Sequence, residues 1–270
     1  MPNHLMKLGK GARLHDERTP LFANYVGATA PTPPASCGYS SGITSWGMML
    51  NGPNTYGKGV PAEGLGDCTC AGVNHGLQVV SKKAQGVELT EADSVVLGLY
   101  EKWCGYVLGN ANTDNGGIML NIMKDWVAQG INGQELDAYA AVHLVTGTGT
   151  GVSVPQVDLE RAIWMFGGAY VGLQMPLSAQ NQTKEWTLKT GPNAVAGSWG
   201  GHAVWILGYS KNTLNCITWG QLMQMSWAFF KTYCDEAYVC VIQDWFKATG
   251  VDPLGVNLAA LEADLAYVKS

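Results

Sequence analysis

The chain has 270 residues, of which 14% are charged, 47% are apolar and 35 are glycine, against roughly 25% charged in an average domain. That composition excludes a disordered chain, and glycines without a three-residue period exclude a collagen. A net charge of −5 with no basic cluster argues against nucleic acid or an anionic membrane as the partner.

In chain order, the first residues are basic in part but hold no apolar run of secretory length, so no signal is read. No apolar stretch approaches the roughly 18 residues that cross a bilayer, and a cytoplasmic location is expected. Residues 1–50 read as an extended arm, with Gly9, Gly11 and a Pro-rich run at 30–35, laid over the body. A Gly/Pro/Asn-rich loop at 51–66 breaks at Asp67-Cys68-Thr69. Beyond it Cys70, Val73, Leu77 and Val80 recur at helical spacing to about Lys83. Asp67 suits the N-cap, and Cys68 then falls in the first turn. Residues 89–108 and 118–129 also read as helices, completing a helical lobe at 51–135. The texture then changes: 139–145, 169–175, 203–209, 214–219 and 237–242 are short apolar or alternating runs, hence strands. Helices are expected among them at 159–166 and 222–233. This β-rich lobe spans 136–250, and 251–270 is a tail with a helix at 258–268. Helices followed by strands predict an α+β fold with two lobes facing each other.

Seven cysteines is an odd count in a chain too long to need disulfide staples, so reduced thiols are expected. The five histidines can be weighed singly. His4 and His15 lie in the arm, and His143 sits in an apolar run as a core residue. His75 shares a helix stripe with Cys68 but stands about 10 Å along it, too far for a thiol–imidazole bond. Cys68 and Cys70 present their sulfurs on different helix faces, and no fourth ligand is spaced to help, so no metal is expected.

His202 is different. It follows the glycine-rich 197–201 segment and opens an apolar strand, which leaves it accessible but fixed, as a general base must be. Cys68 at a helix N-terminus feels the positive end of the dipole, which favours thiolate. A thiolate with a distant histidine is a nucleophile arrangement. Their separation, 202 − 68 = 134, lies in the roughly 130–150 window of one class of thiol enzyme. Asp235 and Glu236 are adjacent on a strand and are expected to point to opposite faces, which argues against a shared acid/base role. The ten tryptophans read as core packing.

Several segments are informative together: Gly64-Leu-Gly-Asp-Cys68-Thr-Cys-Ala71, Asp114-Asn-Gly-Gly117 with Gln129-Gly-Ile131 after a helix, and Phe166-Gly-Gly-Ala-Tyr-Val-Gly-Leu173. They are followed by His202-Ala-Val-Trp-Ile-Leu-Gly-Tyr209, Trp219-Gly220 and Glu236-Ala-Tyr238. Read in this order, the chain resembles the papain superfamily of cysteine peptidases. The first segment is also similar to the Asp-Cys-Gly start of the bacteriocin-processing branch. A set of bacterial and phage proteins shares its Leu-Gly-Lys arm, Gly-Asp-Cys-Thr stretch and Gly-Gly-His-Ala-Val.

The resemblance implies a papain-like two-lobed α+β fold and hydrolysis of a peptide or amide bond. Cys68 would be the nucleophile, His202 the general base and acid, and Gly116, Gly117 and Gly201 the wall that holds a substrate backbone. It implies a peptide or protein substrate and no cofactor. The family places asparagine or aspartate where this chain has Thr218, whose hydroxyl accepts a hydrogen bond but carries no charge. Aligning on Trp219-Gly220 instead would put Ile217 there. The family's oxyanion glutamine is Ala62 here, with Asn51 or Asn54 as substitutes, and the backbone N–H of Cys68 supplies one donor regardless. Cys70 is the alternative nucleophile; the Asp67-Cys68 arrangement favours Cys68. These departures support a rival reading, a catalytically weak scaffold that binds an assembly partner, with a virus particle as its location. On the enzyme reading, Cys68 is expected to be the most reactive thiol, and the 51–66 loop to control access to it.

Overall fold

The computed structural model describes residues 6–43, 46, 64–146, 151–242 and 255–269. Helix α1 (Cys68–Gln85) is the buried spine of the molecule, and Asp67 occupies its N-cap position. The cap is made by the Asp67 carbonyl, which accepts from the N–H groups of Cys70 and Ala71 at 2.9 Å each. Two further helices, α2 (Asp93–Cys104) and α3 (Met119–Gln129), pack beside α1. The helix expected over 89–108 is shorter at both ends, and Gly105 closes it in the left-handed region, with φ 74°.

In chain order the strands are β1 (Cys37–Gly38), β2 (Leu136–Ala141), β3 (Leu144–Thr146), β4 (Gly151–Ser153), β5 (Ala169–Met175), β6 (Glu185–Trp186), β7 (Gly200–Tyr209), β8 (Thr213–Thr218), β9 (Gln221–Ser226) and β10 (Cys234–Ile242). One sheet runs β2-β10-β5-β7-β8-β9-β6, with β1 added on the end of β7, and β3 pairs β4 separately. Pairing is antiparallel except for β6 on β9. Helices α4 (Gln156–Phe166), α5 (Trp227–Tyr233) and α6 (Leu258–Lys269) complete the α+β architecture. Among the described residues no helix is long and apolar enough to cross a membrane, and all seven cysteines are free thiols.

The helix expected over 222–233 is half strand. Gln221–Ser226 alternates buried Met223 and Met225 with exposed Leu222 and Gln224. Leu, Met and Gln are good helix formers, but Trp219 and Gly220, both at positive φ (49° and 70°), make a two-residue hairpin turn that turns the chain back along β8. The helix begins only where Ser226 caps it, accepting from the Phe229 N–H at 3.2 Å. The run expected over 139–145 likewise splits at Val142–His143 into β2 and β3.

Helix α1 lies against β7, and small residues let it approach. A Cβ at Gly76 would stand 2.6 Å from the buried Trp205 ring, and one at Gly72 would stand 3.0 Å from Tyr170. Tyr170 on β5 also donates to the Thr69 carbonyl at 2.8 Å. The start of α1 is thereby pinned to the middle of the sheet.

Candidate active site

Cys68 and His202 come together where α1 meets β7. The Ala203 N–H, one residue past the histidine, points at the Cys68 sulfur at 3.4 Å. His202 Nε2 hydrogen-bonds Thr218 Oγ1 at 2.7 Å, across the β7–β8 pair. The other ring nitrogen, Nδ1, is buried and makes no hydrogen bond. Thus the thiol meets the backbone beside the imidazole, and the imidazole meets a hydroxyl on the next strand.

The imidazole is also held by its faces. Trp219 stacks on it with centroids 4.7 Å apart and planes at 16°, and Trp186 meets it edge-on at 6.3 Å. The hairpin turn that makes Trp219 adopt positive φ is what brings this indole over the ring. Packing alone did not mark Trp219 for that role; the Trp219-Gly220 turn pair was the available signal.

Burial sets the protonation states. Cys68 is 1% exposed and His202 0%. Desolvation pushes the Cys68 thiol up to about 12, although the Ala203 and Gly9 N–H groups and Lys10 favour thiolate. Burial pulls His202 down to about 3. The resting pair is therefore neutral thiol and neutral imidazole. The helix dipole is real but is outweighed by loss of water.

Burial argues against the expectation that Cys68 is the most reactive thiol while the site is closed. Half-buried Cys104 lies 4.0 Å from the Cys70 sulfur, and that contact, with help from Thr69, holds Cys104 below the ordinary thiol range. Iodoacetamide at pH 7 should label Cys104 well ahead of Cys68, read by peptide mass spectrometry. Equal rates would contradict the burial argument. Cys70 is fully buried with its thiol pushed up, which leaves it as a core residue in this state.

The wall residues named from sequence are together and already engaged. Gly117 donates to Gly9 O at 2.8 Å and accepts from Gly11 N at 2.8 Å, and Gly201 O accepts from Lys10 N at 2.9 Å. Gly116 N is bound by the Tyr100 hydroxyl at 2.8 Å. The backbone of the chain's own arm thus lies along these glycines. Beside it Asp114 accepts from Tyr100 OH (2.6 Å) and Gly66 N (2.9 Å) and pairs with Lys7, which ties the arm to the segment preceding Cys68. Asn51, Asn54, Ala62 and most of the 51–66 loop lie outside the described residues. Among the described residues the arm runs between Gly117 and Gly201 and passes close to Gly66, just ahead of Cys68.

Asp235 and Glu236 do not diverge as adjacent strand residues should. The register of β10 against β5 shifts between Cys234 and Glu236, and this bulge re-aims the extra residue. Both carboxylates reach Lys10 Nζ at 2.8 Å. His143 is buried and bonded to Ala237, and His75 is buried against Gln78 Oε1 at 3.1 Å; neither approaches Cys68 through a hydrogen bond.

Burial also lowers His75 to about 4, which sets a pH dependence. The unfolded state takes up protons at the ordinary 6.5 while the folded rings stay neutral to about 3 and 4. Stability is therefore full above about 6.5 and falls as pH drops below it, by about 1.4 kcal/mol per pH unit per ring. Urea midpoints at pH 7.5, 6 and 5 should decline steadily, and His75→Gln should flatten that decline. An unchanged slope in the variant would remove His75 from the account.

Neither a protein-family model nor a curated protein matches the sequence. Solved structures do match the fold. Xylellain, a cysteine protease from Xylella fastidiosa, superposes with a TM-score of 0.60 at 12% identity, covering 87% of this chain and 96% of that one. Digestive procathepsin L 3 of Tenebrio molitor larval midgut gives 0.53 at 14% identity, over 86% of this chain and 75% of that one. Procathepsin B S9 from Trypanosoma congolense gives 0.53 at 10%, over 90% and 87%. The fold is papain-like. The α+β expectation and the superfamily resemblance agree at the level of architecture.

Proposed function

We propose that this papain-like chain is a cysteine peptidase or amidase acting on a peptide or protein through Cys68 and His202. The observation that carries the reading is the row from the Cys68 sulfur, held by the Ala203 N–H at 3.4 Å, through His202 to Thr218 Oγ1 at 2.7 Å. That row leaves His202 Nδ1 free to take a proton.

In the first step the Cys68 thiol passes its proton to His202 Nδ1, and the sulfur attacks the substrate carbonyl carbon. The backbone N–H of Cys68 donates to the developing oxyanion. His202 then protonates the leaving amine as the C–N bond breaks, giving a thioester. Water, deprotonated by His202, attacks that thioester and releases the acid and the thiol. Thr218 accepts from Nε2–H throughout, which leaves Nδ1 as the nitrogen able to take the proton. Trp219 shields that hydrogen bond from water, which strengthens it. The pair begins neutral, so entry of substrate and water in place of the arm must lower the Cys68 pKa for the first step to run near pH 7.

The test is a peptidyl epoxide probe incubated with the full chain and located by mass spectrometry. An adduct at Cys68 that is lost in His202→Ala is expected, whatever slower or faster labelling Cys104 shows independently of His202. No adduct at Cys68, or one there that is indifferent to His202, would refute the assignment.

A further inference from the structure

Lys10 is buried among acids, in an arm that crosses the candidate site. Its side chain is 0% exposed, yet it carries a charge against Asp235 and Glu236, each at 2.8 Å, and donates to Gly11 O at 3.1 Å. Burying an ammonium is expensive unless partners are prepared for it, and here they are. Glu236 is fully buried, and its second oxygen accepts from the Tyr238 hydroxyl at 2.9 Å. Asp235 accepts from Gln174 Nε2 at 2.6 Å and keeps 18% of its side chain exposed.

Space for the stem is prepared too. A Cβ at Gly172, on the strand opposite Glu236, would stand 2.2 Å from Lys10 Cε. A Cβ at Gly201 would stand 2.2 Å from the Lys10 carbonyl oxygen. On the other side of the arm, Gly117 bonds the backbone of Gly9 and Gly11. Lys10 is therefore held as a peptide residue is held in a binding groove, with backbone on both sides and its side chain in a shaped pocket.

We propose that Asp235, Glu236 and the space over Gly172 form a subsite for the cationic side chain of a lysine or arginine in a bound peptide, and that Lys10 fills this subsite from within the chain. The inference rests on the peptide-binding reading of the groove, not on turnover. Lys7, paired with Asp114, is the second anchor of the arm. Occupation by the arm and occupation by a peptide exclude each other, so a peptide competes with a tethered lysine at high effective concentration.

The experiment uses the full chain as Lys10→Met in a Cys68→Ala background, and two tetrapeptide amides, Leu-Gly-Arg-Gly and the same peptide with uncharged citrulline. Calorimetry should show the arginine peptide binding at least tenfold more tightly, as expected when a charged partner meets a buried carboxylate, with the preference erased by adding Glu236→Gln. Equal binding of the two peptides, or binding of neither by a folded variant, would overturn the proposal. A second measurement needs no substitution. An endoprotease that cuts after lysine should cleave wild type slowly at Lys7 and Lys10, faster with millimolar arginine peptide, and no faster with the citrulline peptide; identical acceleration, or none, would equally overturn it. Persisting arginine preference with no peptidase activity in Lys10→Met alone would instead reject the enzyme reading and leave the subsite standing.

Discussion

Cys68→Ala is expected to abolish amide hydrolysis, with turnover falling on the order of a thousandfold or more, because nothing else in the site replaces the nucleophile. Cys70 cannot substitute for it. That side chain is fully buried, with its sulfur turned to Cys104, not to β7. His202→Ala should cost about as much as Cys68→Ala, since residues acting as one unit give non-additive losses. Thr218→Ala should be far milder. It removes one hydrogen bond to a neutral group, about 0.5–1.5 kcal/mol, or roughly threefold to tenfold in rate. Thr218→Asn restores a carboxamide acceptor but must fit beneath Trp219. The discriminating measurement is turnover of a fluorogenic peptide amide by the four variants, with near-UV circular dichroism to confirm folding. A Thr218→Ala loss as large as that of Cys68→Ala would mean that the threonine does more than orient the ring.

Trp205→Ala should produce the largest loss of stability, about 3–5 kcal/mol, a large share of the 5–15 kcal/mol typical of a folded domain. Trp205 lies fully buried in β7. Its ring fills the room that Gly76 leaves on α1, and its Nε1 donates to the Gly167 carbonyl at 3.3 Å. Removing the indole opens a cavity between the helix that carries Cys68 and the strand that carries His202. The same substitution should therefore weaken catalysis as well as folding. Urea unfolding gives the first quantity; a midpoint close to wild type would show that helix and sheet close over the gap. Gly76→Leu attacks the same contact from the other side by overpacking, and it should also destabilise.

Much of this was legible in the chain. Helical spacing from Cys70 to Val80 located α1, the apolar run after His202 located β7, and the glycines of 197–201 marked the strand mouth. Cys68 and His202 could be named because helix starts and strand starts are local properties written in residue types, whereas Thr218 was named only through the family resemblance. Other features depended on pairing. Residues 222–226 have helix-forming side chains, and only the Trp219-Gly220 hairpin turn and alignment along β8 make them a strand. Asp235 and Glu236 converge because a bulge in β10 breaks the alternation that holds for a regular strand. The protonation of Cys68 turns on the same kind of reason. A helix N-terminus can be read from sequence, but desolvation depends on what packs around the sulfur, and that includes β7, more than a hundred residues away. The residue types determined which chemistry was available, and the packing of arm, helix and sheet decided which groups were dry, charged or already occupied, because burial is a property of the assembled surface and not of the chain.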